Sequence, residues 1–218
     1  MPTIYPYGGP ALVRRDPLTG AGWTEGTGGV GTSITWTAGT KARVSIAPST
    51  TGYGEIVNSS FLLTQDSWDI AVRLQVVTGD ASSQTRIVLV AGRDGSNAVQ
   101  IGLWGNGNVE LGRVEGGSYS SAGWSAGPDA GQRTGGQLWL RLSSNGGLIR
   151  AMWGIGSSGN PPTSWTIKYS YADTTASNLS FGTYLKIVPL TIDTSLGGGY
   201  VVDILDIRSS SIYPRQFT

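Results

Sequence analysis

Acid–base chemistry in this chain would lack its commonest catalytic side chain, because its 218 residues include no histidine, and they include no cysteine either. The Ser-His-Asp and Cys-His arrangements of nucleophilic enzymes are therefore excluded. Hydrolysis of a glycosidic bond needs only two carboxyl groups in one cleft. The closest acidic pairs are Glu110 with Glu115 and Asp203 with Asp206. We expect Glu110, which alternates with apolar residues, to face solvent, and Asp203 and Asp206 to point to opposite faces because their strand parity differs.

The segment Gly154–Gly159 has the G-x-G-x-x-G spacing of a dinucleotide-binding loop. That function requires a helix directly after the glycines, since the pyrophosphate lies on the helix N-terminus. Pro161 and Pro162 follow instead, and two successive prolines do not continue as a helix interior. The sequence therefore predicts a glycine-rich loop between two strands rather than a nucleotide site.

Asp94, Ser96 and Asn97 form the one local cluster of residues that could supply oxygen ligands to a metal. Calcium prefers about six to eight oxygen ligands and often takes them from Asp and Asn in loops. The alternative is a β-turn in which the same side chains cap backbone groups. The turn is favoured, so that Asp94 and Asn97 are only weak calcium candidates, and no metal or other cofactor is predicted.

Charge is low and balanced, with 15 basic and 14 acidic residues and a net charge of +1. This balance gives no electrostatic reason to expect binding to nucleic acid or to a membrane surface. The longest apolar run, 87–91, is far shorter than the about 20 residues of a transmembrane helix. The N-terminus lacks the basic and then apolar pattern of a secretory signal.

Tryptophans and arginines in the predicted strands could form a sugar-binding surface. Aromatic rings offer an apolar platform, and neighbouring polar side chains can bind hydroxyl groups. If alternate residues of 68–76 and 99–103 face the core, the opposite face is polar. The candidates for glycan binding or for an interface are Arg73, Gln100, Trp104, Trp124, Trp139, Arg141 and Arg150. The same face could instead be covered by loops or a second subunit, since tryptophans in sandwiches are more often core or interface residues.

These side chains must be positioned by strands, because the chain consists of short alternating runs separated by Gly, Ser, Asn and Asp. In the clearest run, 67–77, every even position is apolar, which is the period of a half-buried strand. Asp94-Gly95 and Asn145-Gly146 are typical hairpin turns. The predicted strands are 32–37, 42–47, 55–63, 67–77, 85–92, 97–104, 109–114, 137–143, 148–154, 164–170, 179–188 and 200–209. No window has a helical period, and Trp124 lies in a segment expected to be flexible.

The predicted fold class is all-β, an antiparallel β-sandwich jelly roll over residues 21–210, with a C-terminal tail at 211–218. Residues 1–20 carry four prolines, which predict an extended N-terminal arm. We expect the arm to attach the domain to a neighbouring subunit, with Arg14 and Arg15 pairing with acidic groups there. The alternative is a disordered terminus. The predicted contact residues of the arm are Ile4, Tyr5, Tyr7, Leu12, Arg14 and Arg15.

The hairpin within 137–154 resembles a known family. The segment consists of "LWLRL", a short turn, "LIRAMWG", a proline loop and "SWTI". This order resembles the concanavalin-like (laminin-G-like) jelly rolls in tail proteins of actinobacterial phages. The residues that match are Trp139, Arg141, Arg150, Ala151, Trp153, Pro161, Pro162 and Trp165. The upstream "VAGRDGSNAVQIGL" and the terminal "YVVDILDIRS" resemble further strands of the same family, so the resemblance spans residues 20–209.

This resemblance implies a non-enzymatic structural component of a bacteriophage virion, a minor tail or tail-tip protein. Its expected partners are other virion proteins, further copies of the chain and host surface glycan. A capsid decoration protein or head fibre is an alternative of the same class. A carbohydrate-binding module for host cell-wall glycan and a glycoside hydrolase of laminarinase-like fold are alternatives of other classes. The laminarinase signature resembles Glu-x-Asp-x-x-Glu on one strand, and this sequence lacks it.

Overall fold

The computed structural model describes residues 4–5, 12, 14–59, 67–79, 82–145, 148–157, 159–172 and 182–210. Within these residues there are sixteen strands and one short α-helix. The strands are β1 (Ile4–Tyr5), β2 (Arg14–Arg15), β3 (Thr24–Gly28), β4 (Ser33–Thr37), β5 (Lys41–Ile46), β6 (Gly52–Asn58), β7 (Ser67–Thr78), β8 (Thr85–Asp94), β9 (Asn97–Trp104), β10 (Asn108–Glu115), β11 (Ser118–Ala126), β12 (Leu138–Asn145), β13 (Leu148–Ile155), β14 (Trp165–Ala172), β15 (Tyr184–Thr191) and β16 (Tyr200–Ser209). The helix α1 spans Ala130–Thr134. No helix among the described residues is long and apolar enough to cross a membrane.

The strands form two sheets whose inner faces share one core. The A sheet has nine strands in the order β1-β14-β13-β12-β7-β16-β5-β4, with β2 beside β16. The B sheet has seven strands in the order β11-β10-β9-β8-β15-β6-β3. Neighbouring strands are antiparallel in both sheets, as between β7 and β12 or β8 and β15. The predicted all-β antiparallel sandwich is confirmed.

The core follows from the alternation of the central strands. The even positions of 68–76 in β7 and the odd positions of 99–103 in β9 are all buried in the main apolar cluster. Trp68 is the largest of these side chains, and its removal would cost about 3–5 kcal/mol. The predicted core faces of both strands are confirmed. The odd positions of 69–75 in β7 and the even positions of 98–104 in β9 therefore lie on the outer faces of the A and B sheets.

The described part of the predicted arm is built into the sandwich. Arg14–Arg15 pair with β16, and Ile4–Tyr5 pair with β14. Leu18 is 1% exposed and belongs to the core. The Asp16 carboxylate accepts hydrogen bonds from Leu18 N at 2.7 Å and from Trp23 Nε1 at 3.1 Å. These bonds fix the position at which the chain enters the sandwich. Asp16 and Leu18, which precede the predicted domain start at residue 21, therefore have partners inside the sandwich.

The arm residues have intramolecular contacts where the structure describes them. Arg15 Nε donates to Asp206 Oδ1 at 3.0 Å, whereas the sequence predicted a carboxylate on a neighbouring subunit. Leu12 packs against the outer apolar cluster of the A sheet. Tyr7 and the side chains of Ile4, Tyr5 and Arg14 lie outside the described residues.

A bulge in β16 changes a predicted side-chain orientation. The register between β16 and β7 shifts between Ile204 and Asp206. Ile204 and Ile207 therefore both lie in the core, and Asp203 and Asp206 both project from the outer face. The prediction that these two carboxylates point to opposite faces is wrong, because the extra residue of a bulge resets the alternation.

Periodicity does not predict β3, β11 or α1. β11 is a largely exposed edge strand of serine, glycine and alanine with few apolar residues to alternate. Trp124, expected in a flexible segment, is instead paired with Glu110 of β10. The helix is too short for a periodic signal, but Asp129 and Gln132 form a capping box at 2.8 and 2.9 Å, which is a sequence signature of a helix start.

Candidate functional site

The structure divides the predicted sugar-binding face between the two sheets. Arg73, Trp139, Arg141 and Arg150 lie in the A sheet, and Gln100, Trp104 and Trp124 lie in the B sheet. The expectation of one polar face is wrong, because strands β7 and β9 belong to different sheets whose outer faces point away from each other.

On the outer face of the A sheet, Arg141 and Asp69 form a buried ion pair. Their side chains are 5% and 0% exposed. Arg141 Nε and Nη2 donate to Asp69 Oδ1 at 2.9 and 2.7 Å, and the guanidinium lies 5.0 Å from the centre of the Trp165 ring. Burial raises the pKa of Asp69 to about 6, although Arg141 opposes the shift. Arg141 is thus enclosed by the fold.

Trp139 is also fully buried on this face. The Arg208 guanidinium lies 5.6 Å from its ring centre, and the loop after β13 lies against its indole. A Cβ at Gly156 would come within 2.6 Å of Trp139 Nε1 and 2.1 Å of Asn160 O, so only glycine fits there. The G-x-G-x-x-G segment is therefore a packing loop between strands, as predicted.

Arg73 and Arg150 belong to the same charged network. Arg73 is paired across the sheet with Asp206, and burial lowers its pKa while Asp206 opposes that shift. Arg150 is close enough to Asp69 to lower the pKa of that carboxyl. The outer face of the A sheet is thus a set of paired charges between packed tryptophans, an arrangement that holds the fold together.

The outer face of the B sheet carries an open groove of about 380 Å³ where β9 ends, β10 begins and β11 runs alongside. We call it the tryptophan groove. All but one of its lining side chains are aromatic or neutral and polar. They are Ser83, Trp104, Asn106, Asn108, Glu110, Ser121 and Trp124. Trp124 is 64% exposed, although tryptophan is highly buried on average in folded proteins.

Glu110 organises the floor of the tryptophan groove. It projects from the outer face, but it is only 7% exposed, which corrects the prediction that it faces solvent. Trp104 Nε1 donates to Oε2 at 3.2 Å, and the Tyr119 hydroxyl donates to Oε1. Arg86 Nη1 lies 3.6 Å from Oε2 and its guanidinium lies 4.8 Å from the Trp104 ring centre. Burial and the bond to Glu110 raise the pKa of Tyr119 to about 12, so the phenol remains a donor.

A second depression of about 210 Å³ lies on β8, β9, β10 and β15 of the same face. We call it the valine depression. It is lined by Arg86, Val88, Val90, Gly95, Gln100, Val114, Tyr184, Lys186, Val188 and Leu190. Gln100 is 7% exposed, and its amide makes no hydrogen bond to another described residue. Both depressions thus occupy the outer face of the B sheet, with Arg86 between them.

The calcium candidates Asp94 and Asn97 form the turn between β8 and β9. Asp94 Oδ1 accepts from Ser96 N at 2.8 Å and from Asn97 Nδ2 at 3.0 Å. Burial tends to raise the pKa of Asp94, but these bonds and Arg93 outweigh it and lower the pKa. The carboxylate is thus engaged by the turn. Among the described residues, no group of three or more His, Cys, Asp or Glu side chains is arranged to hold a metal ion.

The two acidic pairs differ from a hydrolytic site in different ways. Glu115 follows Glu110 by an odd number of positions on β10, so the two side chains leave opposite faces. Asp203 accepts from Arg43 Nε at 2.6 Å and from Lys41 Nζ at 2.8 Å. Burial tends to raise the pKa of Asp203, but these two cations outweigh it and lower the pKa. A general acid needs the opposite shift.

No protein-family model matches the chain, and no curated protein matches it. Solved structures do share its fold. The exoplasmic/lumenal domain of VIP36 in its Ca²⁺/Man3GlcNAc-bound form has a TM-score of 0.61 at 15% identity, over 91% of this chain and 87% of that one. This chain has a concanavalin-like jelly-roll fold.

Two further structures with this concanavalin-like fold are also similar. The carbohydrate recognition domain of Emp47p has a TM-score of 0.60 at 12% identity, over 92% of each chain. The carbohydrate-binding module CBM66 from Bacillus subtilis has a TM-score of 0.54 at 11% identity, over 86% of this chain and 95% of that one. At these identities the similarity extends to the fold, which confirms the predicted architecture.

Sequence reasoning identified Gln100, Trp104 and Trp124 as candidates but missed the polar lining of the groove. The "GNGN" turn after Trp104 was the available signal, because it places Asn106 and Asn108 at the end of a strand that stops in a tryptophan. Ser83 and Ser121 carry no comparable signal, since their position depends on neighbouring strands of the B sheet.

Proposed function

We propose that this protein is a non-enzymatic carbohydrate-binding protein whose ligand lies in the tryptophan groove. The observation that carries the proposal is Trp124, 64% exposed beside two asparagines and two serines. An indole face provides an apolar platform for the C–H groups of a sugar ring. The amides and hydroxyls around it both donate and accept hydrogen bonds, as sugar hydroxyls require.

The second tryptophan of the groove is held in place before a ligand arrives. Trp104 is fixed by its bond to Glu110 and by the guanidinium of Arg86 on its ring. A side chain that is already ordered loses little conformational entropy on binding. Glu110 therefore acts as a positioning residue, and its engaged carboxylate supports binding rather than catalysis.

The fold gives independent support for glycan binding. The similar structures include one bound to Man3GlcNAc, one carbohydrate recognition domain and one carbohydrate-binding module. A shared fold does not by itself imply a shared function, so the proposal rests mainly on the residues of the tryptophan groove.

We further propose that the protein acts in a bacteriophage virion, as a minor tail or tail-tip protein that contacts host cell-wall glycan. The resemblance of the strands around Trp139 and Trp153 to phage tail jelly rolls supports this location. Other virion proteins and further copies of the chain are the proposed partners. A capsid decoration protein or head fibre is the alternative location.

Glycan binding can be tested on an array of bacterial cell-wall and other glycans with the purified protein. The wild type should bind a defined set of glycans. Trp124→Ala should lose that binding, whereas Val30→Ala should keep it, because Val30 is 81% exposed in the β3–β4 turn at the far edge of the B sheet. Equal binding by wild type and Trp124→Ala would contradict the proposed site.

The location can be tested by immunogold labelling of intact particles with an antibody raised against the purified protein. The proposal expects label at the tail or tail tip. Label confined to the head would favour the decoration protein or head fibre, and unlabelled particles would contradict a virion role.

A further inference from the structure

The valine depression contains a polar group that the fold leaves without a partner. The Gln100 residue is 7% exposed and lines the depression. Its side chain has no hydrogen bond to another described residue, and its amide atoms are not fully buried, so a ligand in the depression can reach them. A side chain in this state has one donor group and one acceptor available to a ligand.

The surroundings of Gln100 are apolar and without free charge. Val88, Val90 and Val188 belong to one buried apolar cluster on this face. The two cations at the rim are already engaged, Arg86 by Glu110 and Lys186 by a glutamate of β6. The depression therefore suits a group that combines a small apolar part with an uncharged donor and acceptor.

We propose that the valine depression binds the acetamido group of an N-acetylated sugar, which belongs to the same glycan that contacts Trp124. The inference rests on the proposed glycan-binding function and specifies its ligand. The methyl group of the acetamide would contact the valines. Its carbonyl oxygen would accept from Gln100 Nε2, while its N–H, which points the opposite way in a trans amide, would face solvent.

The distance between the two depressions indicates that one ligand spans several sugar rings. Arg86 lines the valine depression and also lies on the ring of Trp104 in the tryptophan groove. Trp104 in the tryptophan groove and Gln100 in the valine depression are four residues apart on β9, or about 13 Å along the strand. An oligosaccharide that runs along β9 can reach both depressions, whereas a single sugar can occupy only one.

The test uses two tetrasaccharides that differ only in the acetamido group, namely β-1,4-linked N-acetylglucosamine and β-1,4-linked glucose. Calorimetric titration of the wild type should show at least about tenfold tighter binding of the acetylated chain, since tenfold corresponds to about 1.4 kcal/mol. Gln100→Leu should reduce this preference to less than about twofold, because leucine has a similar volume but no polar group. Gln75→Leu is the matched control, since Gln75 is bonded to Thr134 O beside the A sheet, and it should keep the preference.

The outcomes separate this inference from the proposed function. Equal affinity of the wild type for both tetrasaccharides, or an unchanged preference in a folded Gln100→Leu variant, would overturn the acetamido site. Array binding restricted to glycans without N-acetyl groups would also overturn it and would leave the proposed function intact. Binding to no glycan at all would overturn both.

Discussion

The two outer faces of the sandwich use the same residue types in different ways. On the A sheet, Arg141 pairs with Asp69 and Trp139 is completely buried. On the B sheet, Arg86 pairs with a glutamate while Trp124 remains 64% exposed. Tryptophan and arginine on a strand therefore do not by themselves indicate a ligand site. The distinguishing feature is whether other parts of the chain cover them.

The cover on the A sheet has identifiable parts. The loop containing Gly156 lies against Trp139, and Leu12 packs against the apolar cluster that includes Trp139. The B sheet ends in β11, an edge strand of small polar residues that leaves the indole of Trp124 open. We conclude that the A face mainly stabilises the fold and that the B face is available for binding.

The largest expected effect of a substitution is on the A face. Arg141→Leu should lower the free energy of unfolding by about 3–5 kcal/mol, because it leaves the Asp69 carboxylate buried without its counter-ion. Urea denaturation followed by tryptophan fluorescence measures this change. The double variant with Asp69→Asn should recover part of the loss. A loss below about 1 kcal/mol would show that the A face is not a stabilising network.

On the B face, the main effect should be on binding rather than stability. Trp124→Ala should weaken glycan binding by about 2 kcal/mol or more, or about thirtyfold, as expected of an aromatic residue at the centre of a site. Its free energy of unfolding should change by no more than about 0.5 kcal/mol, because the side chain is exposed. Calorimetric titration and urea denaturation of the same sample test both parts. A strongly destabilised variant would remove the contrast between the two faces.

A smaller effect is expected at the edge of the A face, and it depends on pH. Asp203→Asn should cost about 1–2 kcal/mol at neutral pH, because the charge-assisted bonds from Arg43 and Lys41 are lost. The pKa of Asp203 is lowered in the fold, so its contribution is present above the unfolded pKa of about 4 and disappears as the pH falls through the folded value. Thermal melts of both proteins between neutral and acidic pH should converge only below about pH 4. Equal melting temperatures of the two proteins at neutral pH would contradict a stabilising role of the Asp203 carboxylate.

The smallest expected effect is at the floor of the tryptophan groove. Tyr119→Phe removes the hydroxyl that donates to Glu110 and so loosens the carboxylate that holds Trp104. Glycan affinity should fall by about threefold, which corresponds to a weak loss of preorganisation. Calorimetric titration measures it, and an affinity loss as large as that of Trp124→Ala would mean that Tyr119 itself contacts the ligand.

The sequence was sufficient to predict most strands and both core faces, since alternation such as that of 67–77 is a local property. It did not predict which strands share a sheet, and this is why Trp139 and Trp104 were assigned to one face. The bulge at Ile204–Asp206 and the capping box at Asp129 are single-residue features that periodicity does not detect. The openness of the groove depends on β11, whose small residues carry no apolar pattern.

Glycan bound to the B face should leave the A face unchanged. A glycan titration followed by ¹H–¹⁵N correlation spectra of the tryptophan indoles, assigned with single-tryptophan variants, measures both faces in one sample. The Trp124 and Trp104 signals should shift with one saturation curve, while the Trp139 and Trp165 signals should stay in place. Shifts of Trp139 and Trp165 without those of Trp124 and Trp104 would contradict binding to the B face.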